Sequence, residues 1–323
     1  MALACHGKVN MTDKFKTNSS APLSNLDIAS HSESRNRQIG ILLMCGCYVC
    51  FACLDASAKF LGQHIPTMEV VWARYLGATI LALVAVNPLS SPNVFRTRHF
   101  GLQNLRALTL FASTILNFYA LRSLQLADTV SISFAMPLLV ALLAGPMLGE
   151  WVGPRRLAAI CVGFIGVLVV TRPGFGGFHP AMLLILTGTL CYALYGIWTR
   201  VLAAHDSSRT TMAYSSILGA VLLTPALPFF WVWPQNGLIW LLMAGTGLFG
   251  AIGHWLLILA HRRAPAAILA PFIYTEIIWM IFLGFTVFGD VPQVWTILGA
   301  AIVIASGLYL WYRERMRARP HLS

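Results

Sequence analysis

Four charged side chains fall inside stretches that are otherwise apolar: Asp55, Arg74, Arg106 and Glu276. A charged group at the centre of a bilayer costs about 2.5–3.5 kcal/mol on insertion scales, so such a residue faces a cavity or a partner. Tyr48, Ala52, Asp55 and Lys59 share one face of a helix by their spacing, and Asp55 precedes Lys59 in the orientation that favours an ion pair along it. Arg106, Ser113 and Asn117 make a second polar stripe by the same periodicity. Neither stripe can face lipid. Glu276 follows Pro271 and is succeeded by apolar residues, which makes it a candidate proton sensor. His254 shares a face with Gly247 and Gly250. Its plain alternative role is a hydrogen bond to a neighbouring helix. Tyr192, Tyr195 and Thr199 line one face, and with Trp72, Trp198, Tyr274 and Trp279 they offer aromatic walls for a flat ligand or simple packing. Lys59, Glu69, Asp128 and Glu150 stand near the ends of apolar stretches, where snorkelling to the interface explains them.

These residues need elements to hold them. Of the 323 residues 58% are hydrophobic and 10% charged, far below the quarter of charged residues usual in soluble domains. A spanning helix takes about 20 mostly apolar residues. Ten such runs are present: 38–60, 66–87, 101–122, 126–148, 155–171, 180–202, 210–232, 238–260, 265–288 and 292–312. The expectation is an all-α polytopic membrane protein, because backbone groups in lipid must be satisfied within the segment. The short alternating segments of a β-barrel are missing from the sequence. Pro137 and Pro271 interrupt the fourth and ninth runs and are candidate hinges, with a static kink as the alternative.

The net charge of +11 does not point to nucleic acid. Laid out with the N-terminus inside, 17 of the 22 Lys and Arg are cytoplasmic: Arg96, Arg98, Arg155, Arg156, Arg200, Arg209, Arg262 and Arg263 in loops, and the rest in the two tails. That is the positive-inside pattern, whose partner is the lipid headgroup. It predicts a multi-pass protein of the bacterial inner membrane with both termini cytoplasmic. Trp231, Trp233 and Trp240 fit an interfacial aromatic belt. Residues 1–37 read as a disordered polar tail and 314–323 as a basic one, with no apolar core of a cleavable signal.

Enzyme and cofactor chemistry finds no foothold. Seven cysteines give no disulfide framework, and Cys47, Cys50 and Cys53 drift along one helix face as packing residues rather than as a metal site. The G-x-G-x-x-G of Gly245–Gly250 follows no strand, so it reads as a close helix contact and a flexible point, not a nucleotide loop. No catalytic residue, metal or cofactor is expected.

The sequence also repeats itself. Cys50–Leu61 aligns with Cys191–Leu202, Leu76-Gly77-Ala78 with Leu218-Gly219-Ala220, and Leu148-Gly149-Glu150 with Phe288-Gly289-Asp290, in order and at nearly constant spacing. Five spans per half force the second half to start on the opposite side. The expected architecture is therefore ten transmembrane helices in two inverted five-helix repeats, 38–172 and 180–313, as in secondary transporters.

With Asp55-Ala56-Ser57-Ala58-Lys59, Trp72-Ala73-Arg74-Tyr75, Arg106, Ala135–Leu139, Leu148-Gly149-Glu150 and Gly163–Val167 followed by Arg172-Pro173-Gly174, the chain resembles the drug/metabolite transporter superfamily. The likeness is to its ten-helix EamA-type members, and it covers about 38–313. The resemblance implies two bundled halves around a central cavity, alternating access and a small-molecule substrate. The first two of those motifs look like the branch with bacterial riboflavin transporters and S-adenosylmethionine carriers. Riboflavin uptake is the named expectation. S-adenosylmethionine uptake and amino-acid or drug efflux are the alternatives, and an intramembrane enzyme is the alternative of another class. Asp55, Arg74, Arg106, Asn117, Tyr192, Tyr195, His254 and Glu276 are the expected substrate or coupling residues.

Overall fold

The structure, a computed structural model, describes residues 23–86, 95–149, 151, 153–174, 177–202, 205–264 and 266–317. Among them every regular element is helical. The helices are α1 (Leu23–Gly62), α2 (Thr67–Val86), α3 (Phe100–Leu121), α4 (Leu126–Ser133), α5 (Met136–Leu148) and α6 (Pro154–Thr171), then α7 (Ala181–Leu202), α8 (Ser208–Leu223), α9 (Gly237–Arg263), α10 (Ala266–Leu269), α11 (Glu276–Phe288) and α12 (Val294–Arg317). The pairs α4–α5 and α10–α11 are each one interrupted span, so the twelve segments make ten passes, five to each half.

Seven passes contain apolar windows long enough to cross a bilayer, and Leu157–Thr171 is a shorter one. The two that fall short, α3 and α8, are the two most interrupted by polar groups. Gln103, Asn104, Arg106 and Asn117 lie on α3, and α8 begins Ser208-Arg209-Thr210-Thr211 and continues through Ser215 and Ser216. Their polar sides meet, with Arg106 donating to Ser215. Lipid would not accept those faces singly.

The expected boundaries shift in three places. Residues 23–37, read as an unstructured tail, continue α1 as helix, since adding turns to an existing helix is cheap once it is nucleated. The seventh pass ends at Leu223 rather than 232, because Pro225 and Pro228 cannot continue it, and a short 3₁₀ turn at Leu227–Phe229 follows. The last helix runs on to Arg317, past the expected end of the second half at 313. Residues 1–22 and 318–323, and Glu150, lie outside the described residues.

The repeat is visible in the backbone as well as in the letters. α5 and α11 are both 13 residues long and both stop on a left-handed glycine, Gly149 (φ 74°) and Gly289 (φ 68°). A side chain is strained in that conformation, which is why the glycine recurs at this place in both halves. Asp290 N–H then reaches back to the Gly284 carbonyl at 2.9 Å, the wider loop of a Schellman ending. The breaks recur too. Pro137 occupies the first turn of α5, so α4 stops at Ser133, while Pro271 sits in a 3₁₀ segment, Ala270–Thr275, that delivers the chain into α11 at Glu276. Neither proline kinks a continuous helix; each begins a new half-helix.

The halves pack along long helix pairs, α1 with α9, α6 with α12, α3 with α7, and α2 against α8 and α9. Small residues set the closest approaches. A Cβ on Gly77 would lie 2.8 Å from the Gly247 Cα, which explains the glycine-rich run in α9 as a backbone contact with α2. Leu42, Val84, Val221 and Phe282 turn outward with more than half their surface exposed, as lipid-facing residues do.

Candidate functional site

Two adjoining cavities lie between the halves and share Arg74, Leu110, His254 and Leu257 in their walls. The larger, about 390 Å³, is lined by Asp55, Asn117, Tyr192 and Glu276 among others. The smaller, about 250 Å³, is lined by Arg106, Tyr195, Thr199 and Ser215 and extends to Asp206. All the residues singled out as binding or coupling candidates therefore border one chamber, although they come from α1, α2, α3, α7, α9 and α11. Pro137 and Pro271 do not line it, but the chain they interrupt does, through Ser133, Phe134, Met136 and Ile273.

The smaller lobe is built around Arg106, which is 2% exposed. Its Nε donates to Thr199 Oγ1 at 2.8 Å, Nη1 to the Thr211 carbonyl at 3.1 Å and to Ser215 Oγ at 2.9 Å, and Nη2 to Ser215 Oγ at 2.9 Å and to the Tyr195 hydroxyl at 3.3 Å. The guanidinium also stands 4.6 Å from the Tyr195 ring centre. Every one of these partners belongs to the second half, on α7 or α8. Arg106 is thus a strap from the first half onto the second, with its donors committed.

The larger lobe is the reverse. Arg74 Nη1 donates to Thr114 Oγ1 at 2.8 Å, while its Nε is buried with no acceptor. Its guanidinium is 5.0 Å from the Tyr75 ring and 5.9 Å from the Phe118 ring. Asp55 accepts only two long bonds from Asn117 Nδ2, at 3.3 and 3.4 Å. Glu276, in the first turn of α11, has no hydrogen-bond or ion-pair partner among the described residues. His254 meets the Phe51 ring edge-on at 5.2 Å. Tyr192 and Tyr195 are stacked, with centroids 5.5 Å apart and planes 22° apart.

Three expectations need correction. The Asp55–Lys59 pair along α1 is not formed: Lys59 Nζ bonds Asp290 Oδ2 at 2.5 Å, joining the first half to the loop after α11. Lys59 is buried, with Phe288 beneath it at 4.6 Å, so it does not snorkel. Glu69 does not snorkel either. It is fully buried and accepts the Val232 N–H at 3.1 Å. Of the proposed aromatic walls, Trp72, Trp198, Tyr274 and Trp279 stay out of the chamber lining; Trp72 instead bonds Thr224 and packs on Trp231. Tyr48, Phe51 and Phe134 take their place beside the tyrosine pair. Tyr48 shares the Asp55 face by its spacing, whereas Phe51 and Phe134 were legible only as ordinary apolar positions. Among the described residues no group of His, Cys, Asp and Glu could hold a metal.

Bonds between the two halves close both ends of the chamber. Beyond Asp55 the two halves are joined by Lys59–Asp290, by Thr296 Oγ1 donating to Asp128 at 2.6 Å, and by Arg172 donating to Gln293 at 2.5 Å. None of these residues lines the cavities. At the opposite end the lining reaches Asp206 and Thr211, and Asp206 accepts from Thr97 at 2.7 Å and Gln103 at 2.8 Å.

Two five-pass halves closed over a polar chamber within an apolar exterior define a multi-pass membrane transporter. The chain belongs to the EamA-like transporter family, whose model matches it twice, over residues 38–172 and 179–312. It is 28% identical to a riboflavin transporter of Vibrio cholerae over 87% of this chain and 95% of the relative. It is also 28% identical to an S-adenosylmethionine uptake transporter of Rickettsia bellii, over 81% of this chain and 89% of the relative. A riboflavin transporter of Brucella anthropi is 27% identical over 83% of this chain and 97% of the relative. A solved crystal structure superposes with a TM-score of 0.61 at 17% identity, covering 88% of this chain and 99% of that one, which supports the fold alone.

Proposed function

We propose that the chain is a secondary carrier that takes up a small organic metabolite across the bacterial inner membrane by alternating access. The observation that carries this reading is the convergence of the ionisable and aromatic residues of both halves on one chamber between them. A site at the seam of inverted halves is reachable from either side as the halves rock. In this reading the Lys59–Asp290 end is the periplasmic one. The Asp206 end faces the cytoplasm, and both termini are cytoplasmic. The halves are 38–172 and 180–313.

Riboflavin is the first cargo to test. Two relatives carry that name, and the stacked Tyr192–Tyr195 pair suits a flat ring system. S-adenosylmethionine is the second reading, favoured by a relative of equal identity and by the Arg74 Nε, which the protein leaves without an acceptor. The test is counterflow. Purified protein in vesicles preloaded with unlabelled cargo should take up labelled cargo at a saturable rate. Flux that rises linearly with concentration, or no exchange of either cargo, would remove the carrier reading.

A further inference from the structure

At the cytoplasmic end of the chamber, the chain leading into α3 of the first half lies against the chain leading into α8 of the second. The contact centres on one carboxylate oxygen. Asp206 Oδ2 accepts the Thr97 hydroxyl at 2.7 Å and the Gln103 side-chain amide at 2.8 Å. Around that point the Tyr214 hydroxyl donates to the Phe95 carbonyl at 3.0 Å, and the His99 and His205 rings meet edge-on with centroids 4.6 Å apart.

Asp206 is not spent on its own helix. An acid beside a helix start often caps it, but Ser207 does that here by accepting the Thr210 N–H at 3.1 Å. Its donors are held in place for it. Gln103 is fully buried one turn before Arg106, and its Nε2 also reaches Thr211 Oγ1 at 3.4 Å. Thr97 in turn accepts the His99 N–H at 3.0 Å. Asp206 borders the smaller lobe together with Arg106 and Thr211, so it stands where that lobe ends. Hydrogen bonds to an ionised acceptor are about twice as strong as neutral ones, which makes this carboxylate the main fastening among these contacts.

We propose that Asp206 is the latch of the cytoplasmic gate, a positioning residue that governs release of cargo rather than its recognition. While Oδ2 holds Thr97 and Gln103, the halves are joined at this end. When those bonds part, the smaller lobe opens to the cytoplasm and Lys59–Asp290 keeps the far end shut. Each end is thus fastened through an aspartate of the second half, by an ammonium at one end and by a hydroxyl and an amide at the other. The proposal rests on the carrier reading and names the residue that controls one of its steps.

The test is sided labelling without cargo. Ala78 lines the smaller lobe. With the native cysteines replaced, Ala78→Cys is exposed to a membrane-impermeant thiol reagent from either face of oriented vesicles. Adding Asp206→Ala should speed labelling from the cytoplasmic face at least about tenfold, the scale of one hydrogen bond to a charged group. Labelling from the periplasmic face should not rise. Asp290→Asn should do the reverse. Thr97→Val removes one of the two donors from the opposite half and should give a smaller rise on the cytoplasmic face; it decides the matter if Asp206→Ala does not fold. Unchanged cytoplasmic labelling, an equal rise from both faces, or a rise from the periplasmic face alone would overturn the latch. Because no cargo is present, failure of counterflow in the wild-type protein would remove the carrier reading separately.

Discussion

Two arginines border the chamber, Arg74 in the wall that both lobes share and Arg106 in that of the smaller lobe, and their surroundings are opposite. Around Arg106 every donor has an acceptor, and all the acceptors come from the other half of the molecule. Around Arg74 one donor is satisfied and another is buried without an acceptor, with two under-partnered carboxylates in the same wall. Both side chains sit in the membrane interior, where leaving a charge bare is costly. The difference teaches how to separate architecture from recognition. A saturated network has nothing left to offer a ligand, whereas an unsaturated one is completed by it.

The largest effect should follow from breaking the saturated side. Arg106→Ala removes a charged strap and leaves the Ser215 and Thr199 hydroxyl oxygens without the donor they accept from, while the Thr211 carbonyl keeps the Ser215 hydroxyl. A loss of about 1.5–3 kcal/mol is expected, the scale of hydrogen bonds made to a charged group by neutral partners. Thermal melting in detergent should show it, together with lost uptake. Arg106→Lys should rescue neither, since an ammonium cannot serve Thr199, Ser215 and Thr211 at once. A variant with wild-type melting and no uptake would move Arg106 from the architectural to the recognising side of the comparison.

Arg74→Ala comes next. Uptake should fall by at least about tenfold, the scale of one charge-assisted contact. Melting should fall by less than for Arg106→Ala, because one hydrogen bond to Thr114 and the ring contacts with Tyr75 and Phe118 are lost rather than five hydrogen bonds. A melting loss as large as that of Arg106→Ala would erase the distinction between the two arginines.

The Lys59–Asp290 joint gives a smaller effect on a different quantity. Lys59→Asp places two acids together at the periplasmic end and should slow turnover several-fold by weakening that closure. The exchanged pair Lys59→Asp with Asp290→Lys should recover most of the rate. Failure of the double variant to recover would mean that Phe288 packing, and not the ion pair, holds this end. The smallest effect is expected for Asn117→Ala, about two- to fivefold in apparent affinity for cargo, since it steadies Asp55 through long bonds only.

Much of this was legible in the sequence, for physical reasons. Runs of apolar residues announce membrane passes because backbone in lipid has few options, and the polar stripe of Arg106 and Asn117 had to face inward. The match of Leu148-Gly149-Glu150 with Phe288-Gly289-Asp290 turned out to mark glycines in left-handed helix endings, a backbone requirement that any repeat unit must preserve. The partner of Lys59 was not legible. Asp55 lies on the same helix face at favourable spacing, while Asp290 is 231 residues away, and only the closing of the halves brings it near. Nor could spacing separate Arg74 from Arg106. Each is a lone arginine in an apolar run, and what distinguishes them is how many acceptors α7 and α8 supply from the opposite half. The tryptophans misled because a large aromatic in a span serves an interface as well as a cavity; Trp72 went to the Trp231, Trp233 and Trp240 cluster.

The central claim is that the larger lobe is a cargo site reached from one side at a time. Ser113 lies in its wall. With the native cysteines replaced, a single Ser113→Cys should react with a membrane-impermeant thiol reagent from the cytoplasmic face of oriented vesicles, and cargo should slow that reaction. Reaction that cargo leaves unchanged, or no reaction from either face, would contradict it.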